Sequence, residues 1–321
     1  MKKYDVTAIG ELLIDFTENG FSQQGNPLLE ANPGGAPCNV LAMLHKLGHS
    51  TCFIGKVGRD HFGDMLEEAA GEVGIDTAGL CRDEQVHTTL AFVHTAPGGD
   101  RDFSFYRNPG ADMMLSVEDV DPELIRECRI FHFGTLSMTN ETCREATRFA
   151  ISEAEKSGAI LSFDPNLREP LWESLEEAGK QVAYGMEHCN ILKISDNEIQ
   201  WFTQEEDFDK GIRKLQEQYH IPLILLSMGK SGSRAYCGSI CAEVPGVLRE
   251  NTIETTGAGD TFCACVLHYV LEHGMKEFTE TELTEMLKFA NMAASIITTR
   301  KGALRVMPDL EEIQRELQTR G

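Results

Sequence analysis

Short apolar runs and longer amphipathic segments alternate along most of the chain. Consecutive apolar residues predict buried strands, and apolar side chains at helical spacing predict helices. The predicted strands are Val6–Gly10, Thr51–Ile54, Ile130–Phe133, Ile160–Phe163, Ile191–Ile194 and Leu223–Leu226. The predicted helices are Ala36–Leu47, Phe62–Val73, Asn140–Lys156, Phe208–Tyr219 and, in the last quarter of the chain, Ala258–His273 and Glu282–Thr299. This alternation predicts an α/β fold, with a doubly wound, mostly parallel sheet and helices on both of its faces.

Two segments interrupt the alternation. The first, about residues 16–33, is polar and rich in turn residues. The second, about residues 88–112, has the pattern of a hairpin, with strands at Thr89–Val93 and Phe103–Tyr106 and a turn at Pro97–Asp100. Because a hairpin is antiparallel, it does not fit a parallel sheet. We therefore interpret both segments as one small β-lid within a single domain spanning residues 1–321; the alternative is two ordinary surface excursions.

The charge balance limits the partners. The chain has 51 acidic and 29 basic side chains, a formal net charge of −22, which argues against binding to nucleic acid or to an anionic membrane surface. It does not exclude a nucleotide, since backbone N–H groups, a helix N-terminus and magnesium can hold a triphosphate. The N-terminal segment lacks the apolar core and cleavage site of a signal peptide, so we expect a cytoplasmic protein.

The strongest local signal is a small-residue turn that opens a predicted helix. Gly257, Ala258 and Gly259 precede Asp260 at this point. Small residues let backbone N–H groups approach an anion, and the helix dipole adds positive potential there. A carboxylate beside such a cradle is placed to take a proton from an attacking hydroxyl. The alternative, a tight turn with Asp260 as a helix cap, is equally compatible with this stretch alone.

Two further motifs follow predicted strands or open helices. The paired glycines Gly34 and Gly35, with Asn39 in the next helix, give room and hydrogen bonds for a polyhydroxy ligand, although such a turn is more often only a turn. Asp15, after the first strand, offers a carboxylate to sugar hydroxyls. Arg168, in the segment after Ile160–Phe163, is a candidate clamp on a phosphoryl group; a surface salt bridge is the alternative.

A fourth motif contains a Gly-Lys-Ser sequence, at Gly229, Lys230 and Ser231. It is not a P-loop, because Ile224 occupies the position where that motif needs its first glycine. A glycine-turn contact to a nucleotide remains open. The first strand is not followed by the three glycines of a dinucleotide-binding fold, which argues against a dehydrogenase.

Taken together and in this order, the motifs resemble those of the PfkB/ribokinase family of sugar kinases, over nearly the whole chain. The two family signatures match as Gly34–Asn39 and Thr256–Asp260. Within the family, Phe105–Asp112 and Phe163–Trp172 look most like fructokinases. The resemblance implies a ribokinase-like fold and an ATP-dependent transfer of the γ-phosphoryl group to a sugar hydroxymethyl group.

The resemblance also implies roles for individual residues. Asp260 would be the general base, with Gly257, Ala258 and Gly259 as the anion hole and Arg168 beside the phosphoryl group. The sugar would contact Asp15, Gly34, Gly35, Asn39, Arg107 and Asp260. The nucleotide would contact Asn166, Ser195, Ser227, Gly229, Gly232, Gly257, Gly259 and Asn291.

Cofactors and partners follow from the same resemblance. Glu198 would lie in the Mg²⁺ region, and backbone oxygens around Thr256 and Gly302 would hold K⁺. The expected partners are a small sugar, ATP and a second copy of the chain at the lid. D-fructose is the expected substrate; 2-keto-3-deoxygluconate kinase, ribokinase and a catalytically silent sugar- or nucleotide-binding protein are the alternatives.

Overall fold

A computed structural model describes residues 2–95 and 101–320 of the chain. The strands are β1 Tyr4–Ile9, β2 Leu13–Phe21, β3 Pro27–Gly34, β4 Thr51–Gly58, β5 Ile75–Asp83, β6 Leu90–Thr95, β7 Arg101–Tyr106, β8 Cys128–Gly134, β9 Ile160–Asp164, β10 Ile191–Ser195, β11 Leu223–Ser227, β12 Ser233–Cys237 and β13 Ile240–Val244. The helices are α1 Ala36–Lys46, α2 His61–Glu72, α3 Pro122–Arg126, α4 Glu141–Ser157, α5 Leu175–His188, α6 Asp196–Thr203, α7 Phe208–Tyr219, α8 Ala258–His273, α9 Glu280–Ile297 and α10 Leu310–Arg320.

The main sheet has the strand order β13-β12-β11-β10-β9-β8-β1-β4-β5. Neighbours from β5 through to β11 pair in parallel, and only the β12–β13 hairpin at one edge is antiparallel. Strand direction therefore puts the carboxyl ends of seven strands along one edge of the sheet, where α/β proteins collect their ligands.

Two apolar cores cover the two faces of this sheet. In β11, Leu223 and Leu225 pack into the core formed with α1, α8 and α9, whereas Ile224 and Leu226 pack into the core formed with α4 to α7. This alternation follows from the two-residue period of a strand. Burial on both faces explains why β11 is apolar at every position except its last. The predicted doubly wound, mostly parallel sheet is confirmed.

The two interrupting segments form one four-stranded sheet, in the order β3-β2-β6-β7. β2 pairs antiparallel with β3 and parallel with β6, and β6 pairs antiparallel with β7. β2 starts at Leu13, directly after the end of β1, so the small sheet grows out of the carboxyl edge of the main one. The predicted turn Pro97–Asp100 lies outside the described residues.

Several elements differ from the sequence prediction. Residues 16–33, predicted only as a polar, turn-rich segment, contain most of β2 and β3, whose exposed outer ends carry little apolar pattern. The pattern also gave no element for β5, α5, α6, the β12–β13 hairpin or α10. In contrast, α7 and α8 have the predicted ends.

None of the helices within the described residues is both long and apolar enough to cross a lipid bilayer. All ten cysteines are free thiols, and Cys241 is the exposed one.

Candidate active site

A cavity of about 490 Å³ lies between the carboxyl edge of the main sheet and the small sheet. Its wall combines residues from β2 and β7, from the N-terminal ends of α1 and α8, and from the segments after β9 and in β10. Leu13 and Phe105 give it apolar surface on the side of the small sheet. The parallel strand order thus brings together most of the residues predicted for the sugar, the phosphoryl group and the base: Asp15, Gly35, Asn39, Asn166, Arg168 and Asp260.

Asp260 lies in the first turn of α8, on the wall of this cavity. Gly257 is the N-cap residue and has a φ of 75°, a left-handed conformation that favours glycine. A Cβ atom at Gly257 would also lie 2.7 Å from the Cβ of Ala303. The turn is therefore closed by glycine at a point where any side chain would be both strained and obstructed.

The backbone N–H groups at the start of α8 differ in whether they have a hydrogen-bond acceptor within the protein. The N–H of Ala258 donates to the carbonyl of Thr255 at 3.2 Å, which closes the turn. Among the described residues, the N–H groups of Gly259 and Asp260 have no protein acceptor, as expected for the first turn of a helix. Gly259, with the dipole of α8 behind it, is thus the better-placed anion donor of the predicted cradle.

Asn39 orients Asp260. Its Nδ2 donates to Oδ2 of Asp260 at 2.8 Å, although the two residues are 221 positions apart. Asn39 is held in the first turn of α1, where its N–H donates to the carbonyl of Gly35 at 3.0 Å. Its Oδ1 is buried and has no partner within the described residues, and the side chain lines the cavity. This oxygen can accept a hydrogen bond from a ligand hydroxyl.

The paired glycines permit two close approaches. A Cβ at Gly35, whose φ is 126°, would lie 2.4 Å from the backbone oxygen of Glu11, and one at Gly34 would lie 2.4 Å from Oδ2 of Asp15. Glu11 then accepts from the N–H of Ala36 at 2.8 Å. Asp15 and Gly35 line the cavity directly, whereas Gly34 acts by giving the Asp15 carboxylate room.

A buried ion pair lies at the floor of the cavity. Nζ of Lys193, in β10, lies 3.0 Å from Oδ2 of Asp164, at the end of β9. Lys193 also approaches α8, because a Cβ at Gly259 would lie 3.3 Å from its Nζ. The sequence prediction gave neither residue a role. The alternation of β10 could have shown that Lys193 faces α8, but only once the strand order was known.

Asn166 and Arg168 lie between this cavity and a smaller one of about 380 Å³, and both line each of them. Ser195 and Glu198 line the smaller cavity. They form a capping box on α6, with Oε2 of Glu198 2.8 Å from the N–H of Ser195, while Oε1 accepts from the N–H of Leu167 at 2.7 Å. Glu198 is therefore fixed rather than mobile.

A third cavity, of about 520 Å³, lies on the other side of the α8 N-terminus. Ser227, Gly229, Gly232 and Asn291 all line it, as predicted for a nucleotide site. Asn291 also ties neighbouring backbone together, since its Nδ2 donates to the carbonyl of Val244 at 3.2 Å. Most of the surface that lines this third cavity is apolar, which suits a planar base. Thr255 and Gly259 line both this cavity and the first, so the two meet at the start of α8.

Burial raises the pKa values of three carboxyl groups in or beside the cavity, those of Asp260, Asp164 and Glu11. Burial raises the pKa of Asp260, against the opposing effects of the Asn39 hydrogen bond, Lys193 and Arg168. Burial likewise raises the pKa of Asp164 to about 6, opposed by Lys193, and that of Glu11 to about 7. In contrast, Lys193 and the hydrogen bonds from Ser195 and Leu167 hold the pKa of Glu198 below its ordinary value despite its burial.

Arg107, predicted to contact the sugar, does not line the cavity of about 490 Å³. Its guanidinium is buried, and its Nε donates to Oδ2 of Asp112 at 2.8 Å while Nη1 donates to Thr139 at 2.8 Å. In this structure it braces the segment that follows β7 against the main domain.

Glu254 connects the two segments that the sequence predicts to bind potassium. The N–H of Gly302 donates to its Oε1 at 2.7 Å, which joins the segment containing Thr256 to the segment containing Gly302. The turn at Gly257 packs against Ala303 in the same region.

Comparison with known proteins gives the family. The family model described as pfkB family carbohydrate kinase matches residues 3–310. A protein named "Probable fructokinase-2" from Arabidopsis thaliana is 39% identical over 306 residues, which cover 94% of this chain and 92% of that protein.

Two solved structures are similar over almost their whole length. The fructokinase from Xylella fastidiosa with bound ATP has a TM-score of 0.89 and 29% identity, covering 98% of this chain and 99% of that one. A double mutant of the fructokinase from Vibrio cholerae O395, with fructose, ADP and potassium bound, has a TM-score of 0.87 and 26% identity, covering 99% of each chain. The chain therefore belongs to the pfkB family of carbohydrate kinases and has a ribokinase-like fold.

Proposed function

We propose that this kinase transfers the γ-phosphoryl group of ATP to a hydroxymethyl group of D-fructose. The observation that carries the proposal is the position of Asp260, at a helix N-terminus where a cavity of mixed polar and apolar lining meets a mostly apolar one. A sugar fits the mixed cavity, lined by Asp15 and Asn39, and the adenine end of ATP fits the apolar one. The terminal phosphate then comes to the amide of Gly259.

The reaction follows from this arrangement. The carboxylate of Asp260 accepts the proton of the attacking hydroxyl, whose oxygen forms a bond to the γ-phosphorus as the bond to the β–γ bridging oxygen breaks. Asn39 keeps the carboxylate aimed at the sugar, and its Oδ1 accepts from a sugar hydroxyl. The Gly259 amide, the α8 dipole and Arg168 stabilise the negative charge on the transferring group. Positioning supplies most of the rate enhancement.

The ion that accompanies ATP is proposed to be Mg²⁺, held near Glu198 and Asn166. These side chains line a polar cavity of about 380 Å³ next to the phosphoryl region, and carboxylate and amide oxygens with waters are the ligands Mg²⁺ prefers. Mg²⁺ neutralises charge on the β- and γ-phosphates. The lining oxygens of Glu198 already accept backbone hydrogen bonds, which favours contact through water.

Two further features remain proposals. Potassium would bind where Glu254 joins the Thr256 and Gly302 segments and would act on the cradle through the turn at Gly257. A dimer would form through the small sheet, which among the described side chains exposes Phe21 (66%), Leu28 (48%), Leu29 (46%) and Tyr106 (67%). Light scattering on the purified protein and on Phe21→Ser tests the dimer, which the substitution should weaken.

The substrate is tested by sugar-dependent ADP release with D-fructose, 2-keto-3-deoxygluconate, ribose and glucose, each with and without K⁺. We expect the highest kcat/KM with fructose. A higher value with 2-keto-3-deoxygluconate or ribose would assign the chain to another substrate of the family. Binding of fructose and ATP without turnover would indicate a catalytically silent binding protein. Loss of turnover in Asp260→Asn would show that the activity belongs to this protein and not to a contaminating kinase.

A further inference from the structure

Two imidazole rings and a carboxylate meet near the C-terminal end of α8, away from the cavities described above. Nε2 of His49 and Nδ1 of His268 are 2.7 Å apart, and one potential ligand atom each from His49, His268 and Glu272 lie within 4.8 Å of one another. The ring planes are inclined at 57°, so the rings meet by their edges rather than by stacking. Two protonated ring nitrogens cannot lie this close, so at least one lone pair points into the gap.

The backbone fixes these positions. His268 and Glu272 are four residues apart on α8 and therefore lie on the same side of the helix. His49 follows Gly48, which ends α1 with a φ of 91°. The N–H of Gly48 donates to the carbonyl of His45 at 2.9 Å and that of His49 donates to Leu44 at 3.1 Å, the paired bonds of a Schellman turn. The turn directs the His49 ring at α8.

A second carboxylate, that of Asp5, lies beside Nδ1 of His49, whereas the other ring nitrogen of His49 faces His268. Nδ1 of His49 lies 3.7 Å from Oδ2 of Asp5, and the Asp5 carboxylate is itself held by the N–H of Ser50 at 3.0 Å and by Arg129 at 3.0 Å. A carboxylate on this side favours the tautomer with the proton on Nδ1, which leaves the Nε2 lone pair facing His268. The same pairing of carboxylate and imidazole orients histidines that bind metals.

Glu272 is the third member of the cluster and lies on its solvent-exposed side. Its side chain is exposed, and among the described residues it makes no hydrogen bond or salt bridge. It is therefore able to rotate toward the two rings. With neutral imidazole rings, the two carboxylates and the one guanidinium leave a net negative charge, which favours the binding of a cation.

We propose that His49, His268 and Glu272 bind one divalent transition-metal ion of the Zn²⁺ type, with water in the fourth position. Two imidazole nitrogens and one carboxylate oxygen form a donor set typical of Zn²⁺, whereas Mg²⁺ and Ca²⁺ prefer oxygen ligands alone. With Zn–N bonds of about 2.0–2.1 Å at a tetrahedral angle, the two nitrogens would lie about 3.3 Å apart. The rings must therefore separate slightly, by a rotation of each side chain.

The bound ion would join the α1–β4 turn to α8. His268 lies eight positions beyond Asp260, or about 12 Å along the helix, so the ion is too far away to touch the reacting groups. Its expected effect is stabilisation of the folded chain, because it binds a site that the unfolded chain does not hold together. This inference does not depend on which sugar the kinase phosphorylates.

The test uses full-length protein freed of metal with a chelator and then titrated with Zn²⁺ by calorimetry, in the presence of excess Mg²⁺ to occupy oxygen-ligand sites. We expect saturable binding of one equivalent and a higher Tm with Zn²⁺. Glu272→Gln, which changes an exposed side chain, and His268→Gln should each weaken binding at least about tenfold, and Asp5→Asn about tenfold. His273→Gln, next to Glu272 on α8 but outside the cluster, should bind as the parent protein does.

Cobalt distinguishes this site from the cysteines. Co²⁺ at the cluster should give the visible absorption of a nitrogen- and oxygen-ligated ion without a thiolate charge-transfer band, also in Cys241→Ser. Absence of saturable Zn²⁺ binding in the parent protein would overturn the proposal, and so would equal affinity in the parent and in Glu272→Gln and His268→Gln. In that event the two rings share only a hydrogen bond.

Discussion

Nδ2 of Asn39, in the first turn of α1, donates a hydrogen bond of 2.8 Å to the carboxylate of Asp260, in the first turn of α8. The two helix N-termini, which carry the two signature motifs of the chain, are thus joined through the carboxylate that we propose as the acceptor of the substrate proton. The bond both aims the carboxylate and stabilises its charged form.

Asp260→Asn should lower kcat at least about a hundredfold, because the amide cannot accept the hydroxyl proton. The affinity for ATP should change little, since the nucleotide cavity is untouched. Steady-state kinetics with fructose and calorimetric titration with ATP measure the two effects. Asp64→Asn, at a side chain that is 77% exposed on α2, is the matched control. Retention of activity within a few-fold would exclude Asp260 as the base.

Asn39→Leu should shift the pH profile. Burial raises the pKa of Asp260, and the hydrogen bond from Asn39 opposes that shift. Without the bond the pKa rises further, so the acidic limb of the profile of kcat/KM for the sugar moves to higher pH, and the loss of activity relative to wild type is largest at low pH. An unshifted limb with a uniformly lower rate would show that Asn39 acts only on sugar binding.

Gly257→Ala, at the N-terminus of α8, and Gly158→Ala, at the C-terminus of α4, form a matched pair. Both glycines have a left-handed backbone, with φ values of 75° and 71°, so each alanine should cost about 1–2 kcal/mol of unfolding free energy. Gly257 also meets a neighbour, since an added Cβ would lie 2.7 Å from the Cβ of Ala303, whereas nothing lies within 4 Å of an added Cβ at Gly158.

We therefore expect Gly257→Ala to lose more stability in urea unfolding than Gly158→Ala, and to lose kcat because the cradle moves. Gly158→Ala should keep its kcat. The double variant Gly257→Ala/Ala303→Gly should recover the steric part of the stability loss. Equal losses in the two single variants would argue against a constrained turn at Gly257.

Glu11→Gln should change how stability depends on pH. Burial raises the pKa of Glu11 to about 7 from its ordinary 4.5, so the folded state holds a proton that the unfolded state has released between these values. This group therefore stabilises the fold at low pH, and that stabilisation is lost as the pH rises toward 7. Glutamine removes the effect.

Relative to wild type, the unfolding free energy of Glu11→Gln should rise by about 2.5 kcal/mol between pH 5 and pH 8. Urea unfolding at both pH values measures the difference, from which the contributions of the other groups cancel. Glu176→Gln is the control, because Lys180 holds the pKa of that exposed carboxyl below its ordinary value, outside this pH range. A difference that does not change with pH would show that Glu11 is charged throughout.

The sequence predicted the six adjacent strands from β11 to β4 in the main sheet, because these strands are apolar on both faces and the helices between them are amphipathic. It placed the start of α8 at the correct residue, since small residues and a carboxylate before an apolar segment are local signals. It could not predict the pairing of Asn39 with Asp260, although it singled out both, because the contact depends on how two distant helices pack.

Other features depend on tertiary contacts that leave no local signal. Lys193 sits among apolar residues of β10, and only the neighbouring strand shows that Asp164 neutralises it. Arg107, expected in the sugar pocket by resemblance, is paired with Asp112 only five positions away, and both side chains are buried. Nothing in the pattern distinguishes an arginine that reaches a ligand from one that braces a turn.

The two cavities draw on different parts of the chain. Among the described residues, the cavity that we propose for the nucleotide is lined by residues between Ser227 and Thr298, whereas the surfaces around Asp15, Asn39 and Phe105 come from the first third of the chain. Substitutions in the N-terminal third of the chain can therefore change which sugar is preferred as the phosphoryl acceptor without changing the recognition of adenine. The exception is the segment from Thr255 to Asp260, which contributes to both cavities. A substitution there would affect the binding of both substrates, so we expect this segment to tolerate the least variation.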